Sequence, residues 1–415
     1  MIARQSHINI LSCLHIAFHS CLVSTLLVAL FISGCARYDV IYETVLDPVP
    51  VRTGNVITIR KVAPTSPTIS TLVINWFGTS SYELRQGNTS VLTDPFVTYK
   101  YPHHVLSVNR LINYMRSNLL LVRDRYGQIN PPPTAIFIGH SHYDHMMDTV
   151  AALELPNWNN VPVYGSPTSK HILKGYPKNA PSVPSNLCQA STGTSPDNKW
   201  AENWCHSDTN GSWKNVYANL LSYQSFEATH AYHFAGITLW DGKHNRDLRQ
   251  PPRITNDFLT GTTYIHFFKF ETSTGAANET FNIGLVGAAT EVDTMLQNKL
   301  QTFANNNDVD VLILCVPGWD NIENEKYPGN LLAILKPRVI VLTHYDNFFD
   351  PDRNVDPQRL VPTADFNEFL NKLQKDINTI SNYTQFESIL IPGVGTKLYL
   401  NKQPSGTINV SKLFK

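Results

Sequence analysis

The sequence predicts an α/β fold, an αββα sandwich in which two mixed β-sheets face each other and helices cover the outer faces. Two observations lead to this prediction. Short β-rich runs separated by turn signals come early in the chain and are typical of an antiparallel meander. Strand and helix patterns then alternate, and this succession occurs in both halves of the chain. Because 42% of the 415 residues are hydrophobic, one large domain is expected rather than two equal ones.

The first half of the chain is predicted to open with the meander, whose strands lie at 71–75, 81–84 and 90–93. Apolar residues at helical spacing then predict a helix at 106–122, which three consecutive prolines end. The next elements are a buried strand at 135–138, a helix at 146–155, a strand at 161–164 and a helix at 169–175. The polar stretch at about 176–214 is predicted to be an inserted surface loop.

The second half of the chain repeats the pattern. Strands are predicted at 222–228, 235–240, 262–270, 281–286, 309–315, 339–342, 388–391 and 397–400. Helices are predicted at 293–303, 331–335 and 364–377. Because this succession is repeated in two halves, two mixed sheets with helices outside are expected.

The first residues of the chain differ from the rest. A positive Arg4 and an apolar run at 22–32 precede Ile32-Ser33-Gly34-Cys35, which resembles the lipobox of bacterial lipoproteins. This predicts a lipid on Cys35 and a protein anchored in a membrane of the cell envelope, facing the periplasm or the outside. An uncleaved N-terminal anchor helix is the alternative. The predicted divisions are a signal peptide at 1–34, a tether and entry segment at 35–70, and the folded domain at 71–415.

Cysteine positions fit export from the cytoplasm. Cys188 and Cys205 both lie in the polar stretch with little core of its own, and in an oxidising compartment they are predicted to form a disulfide. Two unpaired surface thiols are the alternative. Cys315 lies in an apolar run and is predicted to be a small core residue.

Charge argues against a nucleic-acid partner. The chain carries 33 basic and 33 acidic residues and has no formal net charge. Nucleic-acid binding requires clustered Lys and Arg side chains, so we expect a small-molecule or lipid substrate and no nucleic acid.

Six consecutive residues carry the chemistry of this sequence: His140-Ser141-His142-Tyr143-Asp144-His145. They follow an apolar strand, and alternation along an extended chain places His140 and His142 on the same side. Neutral imidazoles together with a carboxylate suit zinc and similar divalent ions. A polar surface loop is the alternative, but such a density of ligands predicts a metal site.

This motif resembles the signature of the metallo-β-lactamase superfamily. Trp76-Phe77-Gly78-Thr79-Ser80-Ser81, Leu92-Thr93-Asp94-Pro95 and Leu342-Thr343-His344-Tyr345-Asp346 are similar to segments of one branch. That branch holds the L-ascorbate-6-phosphate lactonases and the phospholipase D enzymes that hydrolyse N-acyl-phosphatidylethanolamine. The likeness runs in order over about residues 71 to 400. It implies the metallo-β-lactamase fold.

The resemblance also implies two metal half-sites. His140 and His142 would hold one ion together with His230, for which His233 is the competitor. Asp144 and His145 would hold a second ion together with His344. Asp94 would orient a ligand histidine through a hydrogen bond. Zinc is the expected metal, as one or two ions, with manganese or iron as alternatives.

One departure from the family pattern affects the second ion. Ala288 stands where the family has an aspartate that bridges the two metals. Glu291 or Asp293 is a candidate to replace that aspartate from a shifted position. Without a bridging anion, the two cations are less compensated, so weaker binding of the second ion or a mononuclear site is expected.

The expected function is hydrolysis of a phosphodiester or related ester, with a lipid-derived substrate suggested by the anchor. The implied chemistry is attack by a metal-activated water. Asp144 would orient that water, and His233 would shape the pocket or protonate the leaving group. Tyr143, Tyr345 and Asp346 are further candidates for the roles of His233, and ordinary loop structure is the alternative for each of them. Trp319 and Phe348 are assigned either to a substrate groove or to core packing. The alternatives are a lactonase of the same branch and, because of Ala288, a non-catalytic metal-binding protein.

Overall fold

A computed structural model describes residues 40–41, 68–99, 114–177, 200–209, 211–233, 237–273, 275, 279–322, 326–349, 358–361 and 365–413. The predicted signal peptide, Cys35, nearly all of the predicted tether and Cys188 lie outside these residues. Among the residues that are described, no helix has the length and apolar character needed to span a membrane. Residues from Ile41 to Lys415 form one compact unit.

The first sheet has eight strands in the order β17-β16-β2-β3-β4-β5-β6-β7. Its strands are β2 (Leu72–Gly78), β3 (Ser81–Gln86), β4 (Thr89–Thr93), β5 (Ala135–Phe137), β6 (Val163–Gly165), β7 (Trp204–His206), β16 (Lys397–Lys402) and β17 (Ile408–Leu413). Strands β2 to β4 form the predicted antiparallel meander. From β4 to β7 the pairing is parallel, so the carboxyl ends of β4 and β5 lie at one edge of the sheet.

The second sheet has seven strands in the order β15-β13-β12-β11-β10-β9-β8. Its strands are β8 (Lys214–Tyr217), β9 (Leu221–Ala228), β10 (Thr263–Phe270), β11 (Phe281–Val286), β12 (Val311–Cys315), β13 (Val339–Thr343) and β15 (Ser388–Leu390). Strands β8 to β11 are antiparallel, and β11 to β15 are parallel. Two strands of two residues, β1 (Val40–Ile41) and β14 (Gln358–Arg359), lie outside both sheets.

Side chains from both sheets meet in one buried core. The Phe137 ring of β5 lies 4.8 Å from Phe268 of β10 and 5.0 Å from Tyr223 of β9, measured between ring centroids. Alternation turns the neighbouring Ile136 to the opposite face, where it joins a second cluster with Val122. The predicted fold class, two mixed sheets face to face with helices outside, is therefore confirmed.

Three of the described helices begin at a side-chain cap. The helices are α1 (Tyr114–Tyr126), α2 (Tyr143–Met146), α3 (Thr149–Leu153), α4 (Pro167–Leu173), α5 (Thr294–Ala304), α6 (Gly329–Leu335) and α7 (Phe366–Thr379). Asp293 and Asp365 each accept a hydrogen bond from the backbone three residues on, and Ser166 does the same ahead of Pro167. Short 3₁₀ turns lie at Trp200–Asn203, Thr255–Asp257 and Trp319–Asn321.

Several predicted boundaries are wrong. The helix predicted at 146–155 is split into α2 and α3, because Asp148 leaves helical geometry and accepts hydrogen bonds from the backbone of Val97 and Thr98. The described part of the strand predicted at 235–240 is not a strand, since Trp240 has a φ of 52°. Strand β17 was not predicted.

The polar stretch at 176–214 is not wholly a loop. Its described part includes a 3₁₀ turn and β7, which pairs with β6 and so extends the first sheet. Trp200 and Cys205 are buried there. Cys205 is disulfide-bonded, whereas its proposed partner Cys188 lies outside the described residues, so that pairing stays a prediction. Cys315 is a buried free thiol in the core, as predicted.

Candidate metal centre

Three strand ends deliver the candidate ligands to one place. The histidine motif follows β5 and runs into α2, His230 follows β9, and His344 follows β13. The motif residues His140, His142, Asp144 and His145 are all buried, and so is His344. A loop that leaves a buried strand is held rigidly at its base, which fixes where these side chains can point.

His140, His142 and His230 form the first triad, with one ring nitrogen from each lying within 4.8 Å of the others. His140 Nε2 lies 3.1 Å from His142 Nδ1. The His230 ring centroid lies 4.7 Å from that of His140 and 5.0 Å from that of His142. The structure thus brings together the three side chains predicted for one half-site.

Asp144, His145 and His344 form the second triad, again with their ligand atoms within 4.8 Å of one another. His344 Nε2 lies 3.2 Å from His145 Nε2 and 3.2 Å from Asp144 Oδ2. The two triads are adjacent, because the ring centroids of His140 and His145 are only 3.8 Å apart.

The hydrogen bonds of the rings test whether these triads suit a metal ion. His145 Nδ1 donates to Asp94 Oδ2 at 2.9 Å, and His230 Nδ1 donates to the Ala231 carbonyl at 2.7 Å. His142 Nε2 donates to Thr260 Oγ1 at 2.8 Å, while that hydroxyl donates to the Trp240 carbonyl. His142 and His230 therefore turn their other ring nitrogens, which carry lone pairs, into the first triad. The donor sets fit divalent cations.

The surroundings of these ligands set their protonation states. Burial and neighbouring histidines hold the pKa values of His140 and His142 well below the ordinary histidine value. Burial lowers the pKa of His230 to about 3. Burial opposes ionisation of Asp144, but the positive charge of His145 and the hydrogen bond from His344 hold its pKa well below the usual range. At neutral pH the first triad thus offers neutral imidazoles, and the second offers a carboxylate.

Asp94 lies where an orienting carboxylate was predicted. Its Oδ2 accepts from His145, and its Oδ1 accepts from the Gly139 backbone at 2.6 Å. Burial opposes protonation of His145, yet Asp94 and Asp144 together raise its pKa. Asp94 itself has a φ of 38°, a left-handed conformation that few residues adopt. This carboxylate therefore fixes both the tautomer and the direction of the His145 ring.

His233 lies beside the first triad but outside it. Its ring stacks on His230 at 4.9 Å and lies 5.5 Å from His142. His233 Nδ1 accepts a hydrogen bond from the Leu239 backbone at 3.0 Å. Burial lowers the pKa of His233 to about 4, so at neutral pH the ring is neutral and its Nε2 carries the proton. His233 is thus a hydrogen-bond donor next to the triad, and His230 is the ligand candidate.

The region of Ala288 supplies no replacement carboxylate. Glu291 is exposed, and the exposed Asp293 uses its side chain to cap α5 through the Leu296 backbone at 2.7 Å. Neither residue belongs to either triad, so the described residues give no support to the hypothesis that one of them takes the place of the bridging aspartate. Within the part of the chain that the structure describes, Asp144 is the carboxylate that the two triads contain.

The structure gives the two aromatic candidates, Trp319 and Phe348, different places. Trp319 is buried and packs against Phe369 with 6.0 Å between ring centroids, so it belongs to the core. Phe348 lies edge-on to the His344 ring at 5.1 Å and therefore borders the second triad. Sequence reasoning missed Thr260 and Tyr99 altogether, because neither lies in a motif or at a ligand-like spacing.

Comparison with known proteins adds a family match over part of the chain. A family model described as a Beta-lactamase superfamily domain matches residues 73–203, which include the meander and the histidine motif. His230 and His344 lie beyond the matched region. No curated protein matches the chain.

Solved structures with a similar fold include hydrolases and a diiron β-hydroxylase. A metallo hydrolase from the archaeon Ignicoccus hospitalis has 15% identity and a TM-score of 0.44, covering 80% of this chain and 100% of its own. The isothiocyanate hydrolase from Delia radicum gut bacteria has 14% identity and a TM-score of 0.41, covering 78% and 98%. The diiron β-hydroxylase CmlA from Streptomyces venezuelae has 11% identity and a TM-score of 0.41, covering 82% and 55%. Likenesses this distant carry no argument about the reaction.

Proposed function

We propose that this protein is a metal-dependent hydrolase, with zinc as the expected ion, that cleaves a phosphodiester or related ester bond. The observation that carries the proposal is the pair of adjacent triads, in which five histidines and one aspartate turn their ligand atoms towards two points. A bound divalent cation lowers the pKa of coordinated water and polarises the ester oxygen.

The residues around the triads supply the remaining chemistry. His233 offers its Nε2 proton beside the first triad, where it can donate a hydrogen bond to an oxygen that gains charge during the reaction. Its lowered pKa makes it a neutral donor at pH 7, not a strong acid. Asp144, held ionised by its neighbours, can accept a proton or orient the attacking water.

The surface beside His233 supports an apolar, lipid-derived substrate. The His233 backbone donates a hydrogen bond to the Ile237 carbonyl, and Tyr232 and Ile237 are 50% and 47% exposed. Large exposed apolar side chains at the border of a site commonly contact an apolar part of a ligand. The predicted lipid anchor on Cys35 would keep the site close to a membrane. A Cys35→Ala variant that stays in the membrane fraction would contradict that anchor.

The experiment is a substrate panel with purified protein of known metal content. Bis-p-nitrophenyl phosphate, phospholipids, lactones and simple aryl esters are compared at pH 7.5. We expect turnover of a phosphodiester, and its loss in His140→Ala. His171→Ala is the matched control, because His171 pairs with Asp247 on the surface and belongs to neither triad. Turnover restricted to lactones would replace the proposal by the lactonase alternative.

A second candidate is a non-catalytic metal-binding protein, and Ala288 favours it. Two divalent cations held with only one carboxylate carry uncompensated positive charge. In Ala288→Asp, a carboxylate is added beyond β11, and an increase in bound metal would show that the native site lacks a bridging anion. Metal binding by the wild-type protein without turnover on any panel member supports this second candidate.

A further inference from the structure

His344 has an unusual backbone conformation for a buried histidine. Its φ is 66°, in the left-handed region that residues with a Cβ seldom occupy. This conformation turns the ring back from the end of β13, so that Nε2 reaches both Asp144 and His145. Since such a conformation is maintained only when the surroundings impose it, the contacts on either side of His344 determine the geometry of the second triad.

The turn between β2 and β3 makes the contacts on the first side. The Thr79 carbonyl accepts hydrogen bonds from the His344 backbone at 3.2 Å and from the Thr343 hydroxyl. Trp76 Nε1 donates to the same carbonyl at 2.9 Å. One carbonyl at the tip of a hairpin in the first sheet therefore holds the end of β13 in the second sheet.

Asp346 makes the contacts on the other side. Its Oδ1 accepts a hydrogen bond from the Thr79 backbone at 2.9 Å, and its Oδ2 accepts one from the hydroxyl of Tyr99. Asp346 and Tyr99 are buried. Gly78 leaves room for this arrangement, because a Cβ there would overlap the Tyr99 hydroxyl and lie 3.0 Å from Asp346 Oδ2. Thr79, which lies in the turn, and Asp346, two residues beyond His344, are thus hydrogen-bonded to each other.

We propose that Gly78, Thr79, Tyr99 and Asp346 form a His344 support, a set of positioning residues that sets the metal affinity of the second triad. None of the four is itself a ligand. The support brackets His344 from both sides, and it fixes the backbone from which the imidazole reaches into the triad. The first triad has other partners, since His142 donates to the Thr260 hydroxyl and His230 donates to the Ala231 carbonyl.

This inference explains the opening motif of the sequence. Trp76, Gly78 and Thr79 lie far from the histidine motif along the chain, and none of them has a side chain suited to binding zinc. Their backbone and ring groups instead hold the last ligand. The inference rests on the proposed function in one respect, because it requires that Asp144, His145 and His344 bind a metal ion.

The test compares two Tyr→Phe variants that each remove one buried hydroxyl next to the β2–β3 hairpin. Tyr99→Phe removes the donor to Asp346, whereas Tyr126→Phe removes the partner of Ser81 Oγ at 2.7 Å, a contact that involves none of the four residues of the support. Zn²⁺ and Co²⁺ are titrated into metal-free protein, with stoichiometry and affinity read by calorimetry and by cobalt absorption. Thermal unfolding of the metal-free variants reports any general loss of stability.

We expect Tyr99→Phe to weaken the binding of one ion by about tenfold and to leave the affinity for the other ion unchanged. Tyr126→Phe should leave both affinities unchanged. In a His344→Ala background, Tyr99→Phe should have no further effect on the remaining ion. Three outcomes would overturn the proposal. They are equal weakening of the binding of both ions, equal effects of the two Tyr→Phe variants, and a wild-type protein that binds a single ion whose affinity Tyr99→Phe does not change.

The readout separates this inference from the proposed function. If Tyr99→Phe selectively loses one ion but the protein turns over no substrate of the panel, the His344 support is confirmed and the hydrolase proposal is contradicted. If turnover depends on His140 but Tyr99→Phe leaves both metal affinities unchanged, the hydrolase proposal is supported and the His344 support is contradicted.

Discussion

The two triads consist of similar ligand side chains, but different contacts position them. Two ligands of the first triad come from one short loop, and no ligand of the first triad has a positive φ among the described residues. The second triad depends on two residues in left-handed conformations, Asp94 behind His145 and His344 itself. Each triad takes two ligands from the histidine motif and one from a distant strand end, but the second also requires the hairpin tip of one sheet to meet a strand end of the other. Similar chemistry at adjacent sites can thus differ in how easily it is disturbed.

The largest expected effect comes from removing a ligand of each triad. His140→Ala should lower turnover on the order of a thousandfold, because the first triad loses its central imidazole. His344→Ala should lower it less if the first triad carries most of the activity. Steady-state kinetics with metal content measured on the same samples gives both values. A larger loss in His344→Ala would reverse the ranking of the two triads.

A change in the hairpin tip should have the next largest effect, on stability. Gly78 has a φ of 110°, and Gly78→Ala adds both backbone strain and overlap with Tyr99. The free energy of unfolding should fall by about 3 kcal/mol, measured by urea denaturation of metal-free protein. Gly395→Ala is the control, because Gly395 also has a positive φ but its Cβ would meet no atom within 4 Å. Equal losses in both variants would show that strain alone matters at Gly78.

The stability of the fold next to the first triad should depend on pH through His266. His266 donates through Nε2 to the carbonyl of Ile138, two residues before His140, and burial lowers its pKa to about 4. Because this folded pKa lies below the unfolded value, the neutral ring stabilises the fold fully above about pH 6.5, and this stabilisation is lost as the pH falls towards 4. Between pH 8 and pH 5 this amounts to about 2 kcal/mol.

Urea denaturation of wild type and His266→Gln at these two pH values measures that contribution. The wild-type protein should lose about 2 kcal/mol more than the variant on acidification. The same loss in both proteins would mean that His266 is not a neutral, buried group in the folded state.

The smallest expected effect is the removal of one hydroxyl beside the first triad. Thr260→Val removes the acceptor of His142 Nε2 and should weaken the first ion by about tenfold. The second ion should keep its affinity, which is the mirror image of the result expected for Tyr99→Phe. Metal titration of both variants therefore tests the separation of the two triads. Thr168→Val, which removes a hydroxyl that accepts from the backbone of His244, is the matched control.

Sequence alone predicted the parts of the site that have a local pattern. The histidine motif follows a strand directly, so its ligands could be named from six adjacent residues, and the meander could be read from alternation and turns. Thr260 and Tyr99 could not be found in this way, because an isolated Thr or Tyr becomes a partner only when the sheets pack together. The split between α2 and α3 was missed for the same reason, since it results from the distant backbone that Asp148 binds.

Chain position has a consequence for the order in which the two triads assemble. A ribosome makes His140, His142 and His230 well before His344, and the end of β13 reaches its place only when it docks on the β2–β3 hairpin. Contacts between segments so far apart are expected to form late in folding. Metal captured between Asp144, His145 and His344 would therefore mark a molecule whose folding is finished, which makes occupancy of the second triad a natural measure of maturation.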